Sequence, residues 1–124
     1  MDIRQIINEQ MPNNDPIEIG ATCVAHIDNK FFLLVEIEIE VMCFEREEVV
    51  VIEITEDQAE ALIAAGVMRC QIVNTIPTPS PGREVELICV FVVGQNAFLV
   101  FDVENNEDRL VLVRVPLCCI IKEH

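Results

Sequence analysis

Apolar residues recur at every second position over long stretches of this chain. Two of these stretches run from Ile17 to Ile27 and from Val85 to Val93. Successive side chains of a β-strand point to opposite faces, so this period predicts strands with one face in a protein core. Aromatic residues make up only 5% of the chain, so burial must rest on Val, Ile and Leu, which favour pleated sheet. We therefore expect a mainly β protein.

The chain also contains an internal repeat. Residues 22–38 align without a gap with residues 88–104, since Cys89 minus Cys23 and Phe98 minus Phe32 are both 66. Hairpin turn residues fall at the same place in both segments, at 28–30 and at 94–96. The alignment predicts two related β-meander halves.

Two later segments extend the repeat in the same order. Residues 48–54 resemble 109–115 at an offset of 61, and 68–72 resemble 117–121 at an offset of 49. The first half therefore holds an insertion of 61 minus 49, or 12 residues. The insertion predicts one helix over 55–66.

The predicted helix carries its own start and stop signals. Thr55 can cap the first turn, and Gln58 stands at the return position of a capping box. Gly66 is a permissive C-terminal stop. We expect this helix to cover a sheet face or edge.

The length of 124 residues suits a single domain. We predict a sandwich or barrel-like body of two duplicated β-meander halves with one inserted α-helix. Its predicted parts are an N-terminal arm (1–16), a first β half (17–76), a Pro-rich connector (77–83) and a second β half (84–124).

The arm contains an amphipathic pattern. Ile3, Ile6 and Ile7 have helical spacing and precede a turn-rich linker. Such a short helix can cover its own domain or dock on a neighbouring copy. We predict these isoleucines as assembly contacts, together with a β edge.

The charge restricts the partners. Asp and Glu number 22 against 8 Lys and Arg, for a formal charge of -14. This excess of negative charge repels phosphate backbones and anionic bilayers, so we expect neither nucleic acid nor a membrane as partner. Charged residues also interrupt every apolar run before it reaches the length of a membrane-spanning helix. Glu36, Glu38 and Glu40 alternate with the apolar residues of 31–43, which predicts a half-buried strand with a solvated acidic face. The functional alternatives for this face are a basic protein partner and a calcium ion.

The six cysteines have no zinc-site spacing. Cys23, Cys43 and Cys89 share parity with apolar neighbours, and we expect them to pack as small hydrophobic residues. Cys70 aligns with Cys119 across the repeat, which leaves open an internal bridge, a bridge between subunits or a metal site. The candidates for crosslinking are Cys70, Cys118 and Cys119.

No catalytic motif is recognisable, and no cofactor is expected. The histidines are His26, expected on the solvent face of the first strand, and His124. Without a base near a nucleophile, a phosphate loop or a metalloprotease motif, we do not expect an enzyme.

The N-terminal residues resemble no secretory signal, so synthesis in the cytoplasm is expected. By analogy with cysteine-rich spore-surface components, the site of use is a spore or cell surface. The leading hypothesis is a non-enzymatic structural protein that self-associates into an oligomer, fibre or shell. The alternatives are an acidic protein-binding or adaptor module and, third, a small metal- or ligand-binding enzyme.

Overall fold

The computed structural model describes residues 3–10 and 18–117. The chain is mainly β, with 63% of it in strands, and it contains two sheets. It divides into a first unit, Met1–Arg69, and a second unit, Cys70–His124. The predicted fold class is confirmed.

The first unit contains a four-stranded sheet and two helices. The strand order is β3-β2-β1-β4, with β1 to β3 antiparallel and β4 parallel to β1. Its elements in chain order are α1 (Ile3–Gln10), β1 (Glu18–Ile27), β2 (Lys30–Val41), β3 (Phe44–Ile54), α2 (Glu56–Ala64) and β4 (Met68–Arg69).

The second unit contains the other four-stranded sheet, with strand order β5-β8-β7-β6. Here β6 to β8 form an antiparallel meander, and β5 runs parallel to β8. The elements are β5 (Gln71–Val73), β6 (Glu84–Val93), β7 (Asn96–Glu104) and β8 (Asp108–Pro116). The chain thus joins the second sheet before the Pro-rich connector.

The strand registers of the two units repeat each other. Cys23 pairs with Leu34 in the first unit, and Cys89 pairs with Val100 in the second, so both partners shift by 66. Each meander also has a bulge in its first strand, between Ile19 and Thr22 in β1 and between Leu87 and Cys89 in β6, and a shift of 66 residues makes the two intervals overlap. A bulge is a specific local feature, so its repetition supports the predicted duplication.

The sequence alignment of 68–72 with 117–121 pairs Met68 with Leu117, but these two residues have different structural positions. Met68 begins β4 beside Cys23, after α2 has carried the chain from β3 across the sheet to the outer edge of β1. Leu117 instead follows β8 directly, and its N–H donates to the Gln95 carbonyl at 3.0 Å. At Leu117 the chain therefore lies beside the β6–β7 turn, whereas Met68 already lies on the outer edge of β1.

Helix α2 forms as its sequence predicts. The Thr55 hydroxyl accepts from the Gln58 N–H at 3.1 Å, and the Gln58 side chain accepts from the Thr55 N–H at 2.9 Å. Gly66 follows with a φ of 105°, a value that favours glycine. The capping box therefore fixes where the crossover helix begins, and Gly66 lets the chain turn back towards β4.

Both helices cover one face of the first sheet. Ile6 and Ile7 of α1 and Ala59 and Leu62 of α2 belong to one core cluster with strand residues that include Leu33.

Strand β2 is more buried than its sequence predicts, and the prediction of a half-buried strand is wrong. Leu33, Leu34 and Val35 are all 0% exposed, so consecutive residues on both faces are buried.

Candidate functional site

Strand β6 forms an edge of the second sheet. Its hydrogen-bonded neighbour in the described part of the chain is β7, and its other side carries no strand there. The corresponding edge of β1 in the first unit is covered by β4. A ten-residue edge strand leaves backbone N–H and C=O groups that can pair with another chain.

The same strand exposes three large apolar side chains. Leu87, Val90 and Val92 are 49%, 52% and 56% exposed. The bulge after Leu87 brings all three to one face, because their β7 partners Phe101, Leu99 and Ala97 alternate regularly. We call Leu87, Val90 and Val92 the β6 surface.

The β6 surface corresponds to a covered face in the first unit. Val24, which the repeat aligns with Val90, is only 3% exposed and packs in the cluster that α1 and α2 complete. The cluster of the second unit contains strand residues, among them Phe101, Val103 and Val111, and no described helix. Within residues 3–10 and 18–117, this apolar sheet face therefore has no helical cover like that of its counterpart.

The β2–β3 hairpin ends in a second apolar surface. Met42 and Phe44 are 86% and 76% exposed, and Cys43 between them is exposed and free. Met42 and Cys43 have φ of 50° and 72°, the left-handed conformation of a two-residue hairpin turn. We call Met42, Cys43 and Phe44 the hairpin tip.

Acidic clusters recur at equivalent positions of the two units. Glu18 pairs with Glu38 in the first unit, and Glu84 pairs with Glu104 in the second, again 66 residues apart. The negative charge of Glu45 raises the pKa of Glu38 above its usual value. A hydrogen bond and the like charge of Asp108 raise the pKa of Glu104.

These raised pKa values predict how stability depends on pH. A carboxyl whose pKa is higher in the folded state binds its proton more tightly there, so stability is lost as pH rises from about 4.3 through the folded pKa. We expect the thermal midpoint to rise as pH falls from 7 towards the folded pKa values of these carboxyls, and also when salt is added at pH 7. Glu38→Gln and Glu104→Gln should each flatten this dependence in calorimetry.

Glu60→Gln is the matched control, because Glu60 is an exposed carboxylate of α2 outside both clusters. If it flattened the dependence as much as Glu38→Gln, the clusters would not be its cause.

The second unit contains a cleft of about 360 Å³. Three of its lining residues, Val73, Val103 and Val111, belong to the apolar cluster of that unit. Arg83 and Arg109 also line it, with the Arg109 guanidinium 3.5 Å from the Glu107 carboxylate. Two arginines at one cleft are a local positive feature of a chain with charge -14.

The connector forms one wall of this cleft. Pro77 and Arg83 both line it, and two backbone hydrogen bonds between Ser80 and Arg83, of 3.1 and 2.9 Å, close a turn between them. Gly82 has a φ of 79° in that turn, a conformation that favours glycine. The Pro-rich segment thus holds Arg83 beside the cleft.

The three glutamates of the predicted acidic face differ in their exposure to solvent. Glu40 is exposed and Glu38 partly exposed, but Glu36 is only 5% exposed, so its prediction as a solvated residue is wrong. Gly20 accounts for part of this burial, because a Cβ there would lie 2.9 Å from the Glu36 Oε1 atom. The absence of a side chain at the β1 bulge gives the Glu36 carboxylate room.

The predicted arm contacts lie in the core of their own unit. Ile6 and Ile7 are 6% and 0% exposed, and Ile3 packs against the same cluster. The structure therefore assigns Ile3, Ile6 and Ile7 a covering role, the other function that the sequence left open for the arm.

The cysteines divide differently from the prediction. Cys23 is buried as expected, but it is disulfide-bonded and so does more than fill space in the core. Cys70, a candidate for crosslinking, is disulfide-bonded as well. Cys43 is exposed, because the chain turns at that residue, and the prediction of burial is wrong. Cys89 is partly buried, and burial raises the pKa of its thiol. Cys118 and Cys119 lie outside the described residues.

His26 is exposed, as predicted, and stacks on Phe31 with ring centroids 4.3 Å apart. It does not line the cleft of the second unit. His124 lies outside the described residues.

Sequence reasoning missed the cleft, and although the repeat predicts a longer hairpin end around Val41 to Glu47, it missed the exposure of the apolar residues at the hairpin tip. Arg83 and Arg109 are 109 minus 83, or 26, residues apart, and no local pattern links them. Alternation likewise continued the buried face of β2 into the turn at Met42. The available signal was the repeat itself, since the β2–β3 hairpin is longer than its counterpart.

No helix in the described part of the chain has the length and apolar character needed to span a membrane. Comparison of the chain with protein-family models, with curated proteins and with solved structures finds no match.

Proposed function

We propose that the chain is a non-enzymatic structural protein whose copies associate through strand β6. The observation that carries this proposal is the combination, on one strand, of an edge that no other described strand pairs with and the apolar β6 surface. Soluble proteins usually blunt a long edge strand with charged side chains, proline, a bulge or a covering element. In β6 the glutamates and the bulge lie in its first half, whereas the segment 89–93 carries no charge and exposes Val90 and Val92. This second half of the strand is suited to pairing.

The contact is a two-fold one. Antiparallel pairing of β6 with β6 of a second copy joins two four-stranded sheets and places the same surface on both sides of the contact. The apolar side chains of the two copies then become neighbours across the new strand pair, where such pairs stabilise a sheet.

A charge on the β6 surface tests the proposal. Val90→Lys places a cation where two copies meet, and we expect it to reduce the solution mass from an oligomer to the 14.0 kDa monomer or to smaller assemblies. Size-exclusion chromatography with light scattering measures this over a concentration series. At the higher concentrations of the series, the solution mass of the wild-type protein should exceed that of one chain.

Gln95→Lys is the matched control. Gln95 lies exposed in the β6–β7 turn. Its replacement by lysine adds the same charge as Val90→Lys, but outside the β6 surface. It should retain the wild-type mass. A wild-type protein that stays monomeric, or a Val90→Lys protein with unchanged mass, would be evidence against the proposal.

The disulfide-bonded cysteines favour an oxidising location. Structural disulfides persist outside the reducing cytoplasm, and Cys23 and Cys70 are bonded. The proposed site of use is therefore a cell or spore surface.

A second candidate function rests on the repeated acidic clusters. Glu38 and Glu104 hold raised pKa values because carboxylates crowd around them, and a basic protein would relieve that repulsion. This adaptor hypothesis predicts a monomer or dimer that binds a lysine-rich peptide with an affinity that falls steeply with salt. Titration calorimetry at two salt concentrations distinguishes it from self-association.

A further inference from the structure

We propose that the hairpin tip of one copy inserts into the cleft of the second unit of another copy. This inference rests on the proposed self-association and adds a second contact to it. The occupant is a second copy of this chain, and the surfaces involved are Met42, Cys43 and Phe44 on one side and the Arg83/Arg109 cleft on the other.

The hairpin has the form of an insertion that reaches outward. Glu38 pairs with Glu47 in the first unit, and Glu104 pairs with Asp108 in the second. The offsets are 66 and 61, so the first hairpin is 66 minus 61, or 5, residues longer beyond this pair. The added residues end in two large apolar side chains that are mostly exposed. Such exposure on a folded protein typically marks a contact surface.

The cleft offers a suitable receptor. Its volume of about 360 Å³ lies within the range of pockets that enclose one or two large side chains or a small ligand. Valines 73, 103 and 111 give it apolar walls for Phe44 or Met42. Burial of these side chains is favourable because it removes apolar area from water.

The charges of the two surfaces are opposite. Glu40 and Glu45 form a cross-strand pair just below the hairpin tip, and both are exposed. Arg83, Arg109 and Glu107 line the cleft, and since Glu107 pairs with Arg109, Arg83 supplies the excess positive charge there. Since copies of charge -14 repel one another, a contact between them needs local complementarity, and this pairing supplies it.

The geometry of the contact has a consequence for assembly. A protrusion that enters a cleft elsewhere on the next copy makes a heterologous contact, which continues from copy to copy unless the rotation closes a ring. Combined with two-fold pairing through β6, it links dimers into longer assemblies.

Two variants that each remove one side of the contact test this inference. Met42→Ser with Phe44→Ser removes the apolar tip and keeps the cleft, and Arg83→Glu with Arg109→Glu reverses the cleft and keeps the tip. We expect each alone to fall to the dimer mass of about 28 kDa, twice the 14.0 kDa of one chain. An equimolar mixture should regain larger complexes, because each supplies what the other lacks.

The outcomes separate the two proposals. A wild type larger than a dimer, with both variants at wild-type mass, overturns the inserted tip and leaves the β6 contact intact. A monomeric wild type overturns self-association itself. Recovery in the mixture excludes misfolding of either variant as the cause of the lower mass.

Cys43 gives a readout without any substitution. Its thiol is exposed and free at the hairpin tip. We expect the alkylation of Cys43 to be at least about tenfold slower in the assembled wild type than in the same protein diluted to monomers or dimers. Peptide mass spectrometry measures both rates. Equal rates in both states would contradict insertion of the tip.

Discussion

Replacement of Cys23 by serine is expected to lower the free energy of unfolding by about 2–5 kcal/mol, the usual cost of losing a native disulfide in a small domain. Cys23 is disulfide-bonded and only 4% exposed on β1, so the substitution also leaves a polar group in a buried position. Cys70→Ser should destabilise the protein by the same mechanism. Urea unfolding followed by circular dichroism measures both effects.

Cys43→Ser is the control for this experiment. Its thiol is free and exposed, so its replacement should leave the unfolding midpoint unchanged. Wild type treated with reductant should behave like Cys23→Ser. Equal stability of wild type with and without reductant would show that the disulfide does not support the fold.

The second large effect is expected at Ile7. Ile7→Ala should lower the free energy of unfolding by about 2–5 kcal/mol, because it empties a fully buried position in the core that α1 shares with β1 and β2. Ile3→Ala, at the partly buried start of α1, should cost clearly less. Such losses are large beside a typical total stability of about 5–15 kcal/mol.

The Ile7 variant also distinguishes two functions for the N-terminal helix. If α1 covers its own sheet, Ile7→Ala lowers stability in urea unfolding at every protein concentration. If Ile7→Ala instead kept full stability and lowered the solution mass, the isoleucines would be assembly contacts, and the covering role would be wrong.

Local signals in the sequence predicted local structure well. Thr55, Gln58 and Gly66 act within one helix, and their hydrogen bonds and backbone conformations follow from residue type. The turn at Asp28 and Asn29, with φ of 51° and 64°, is equally local. The internal repeat then carried the meander from one unit to the other, because the same spacing produced the same strand register.

Burial depended on distant contacts and was predicted less well. Glu36 looked solvent-facing because it alternates with apolar residues, yet the bulge at Gly20 makes room for its carboxylate. Cys43 looked buried by the same alternation, but a turn reverses the chain there. Periodicity shows which residues share a face and cannot show what covers that face.

The candidate surfaces illustrate the same distinction. The sequence predicted a β edge as an assembly contact, and Leu87 was assigned to an alternating apolar face. Among the described residues, β6 lies at a sheet edge while β4 and α1 cover β1, and the alternation of apolar residues does not distinguish these two strands. The cleft needs Arg83 and Arg109 to meet across the connector, which no spacing in the sequence encodes.

Backbone hydrogen exchange along β6 tests the central claim most directly. Amides of Glu84–Val93 that do not bond to β7 face no other strand of the described residues, and they become hydrogen-bonded when two β6 strands pair. We expect their exchange to slow by at least tenfold between dilute and concentrated protein, with the amides of β2 unchanged. An increase in solution mass without any slowing in β6 would contradict association through this strand.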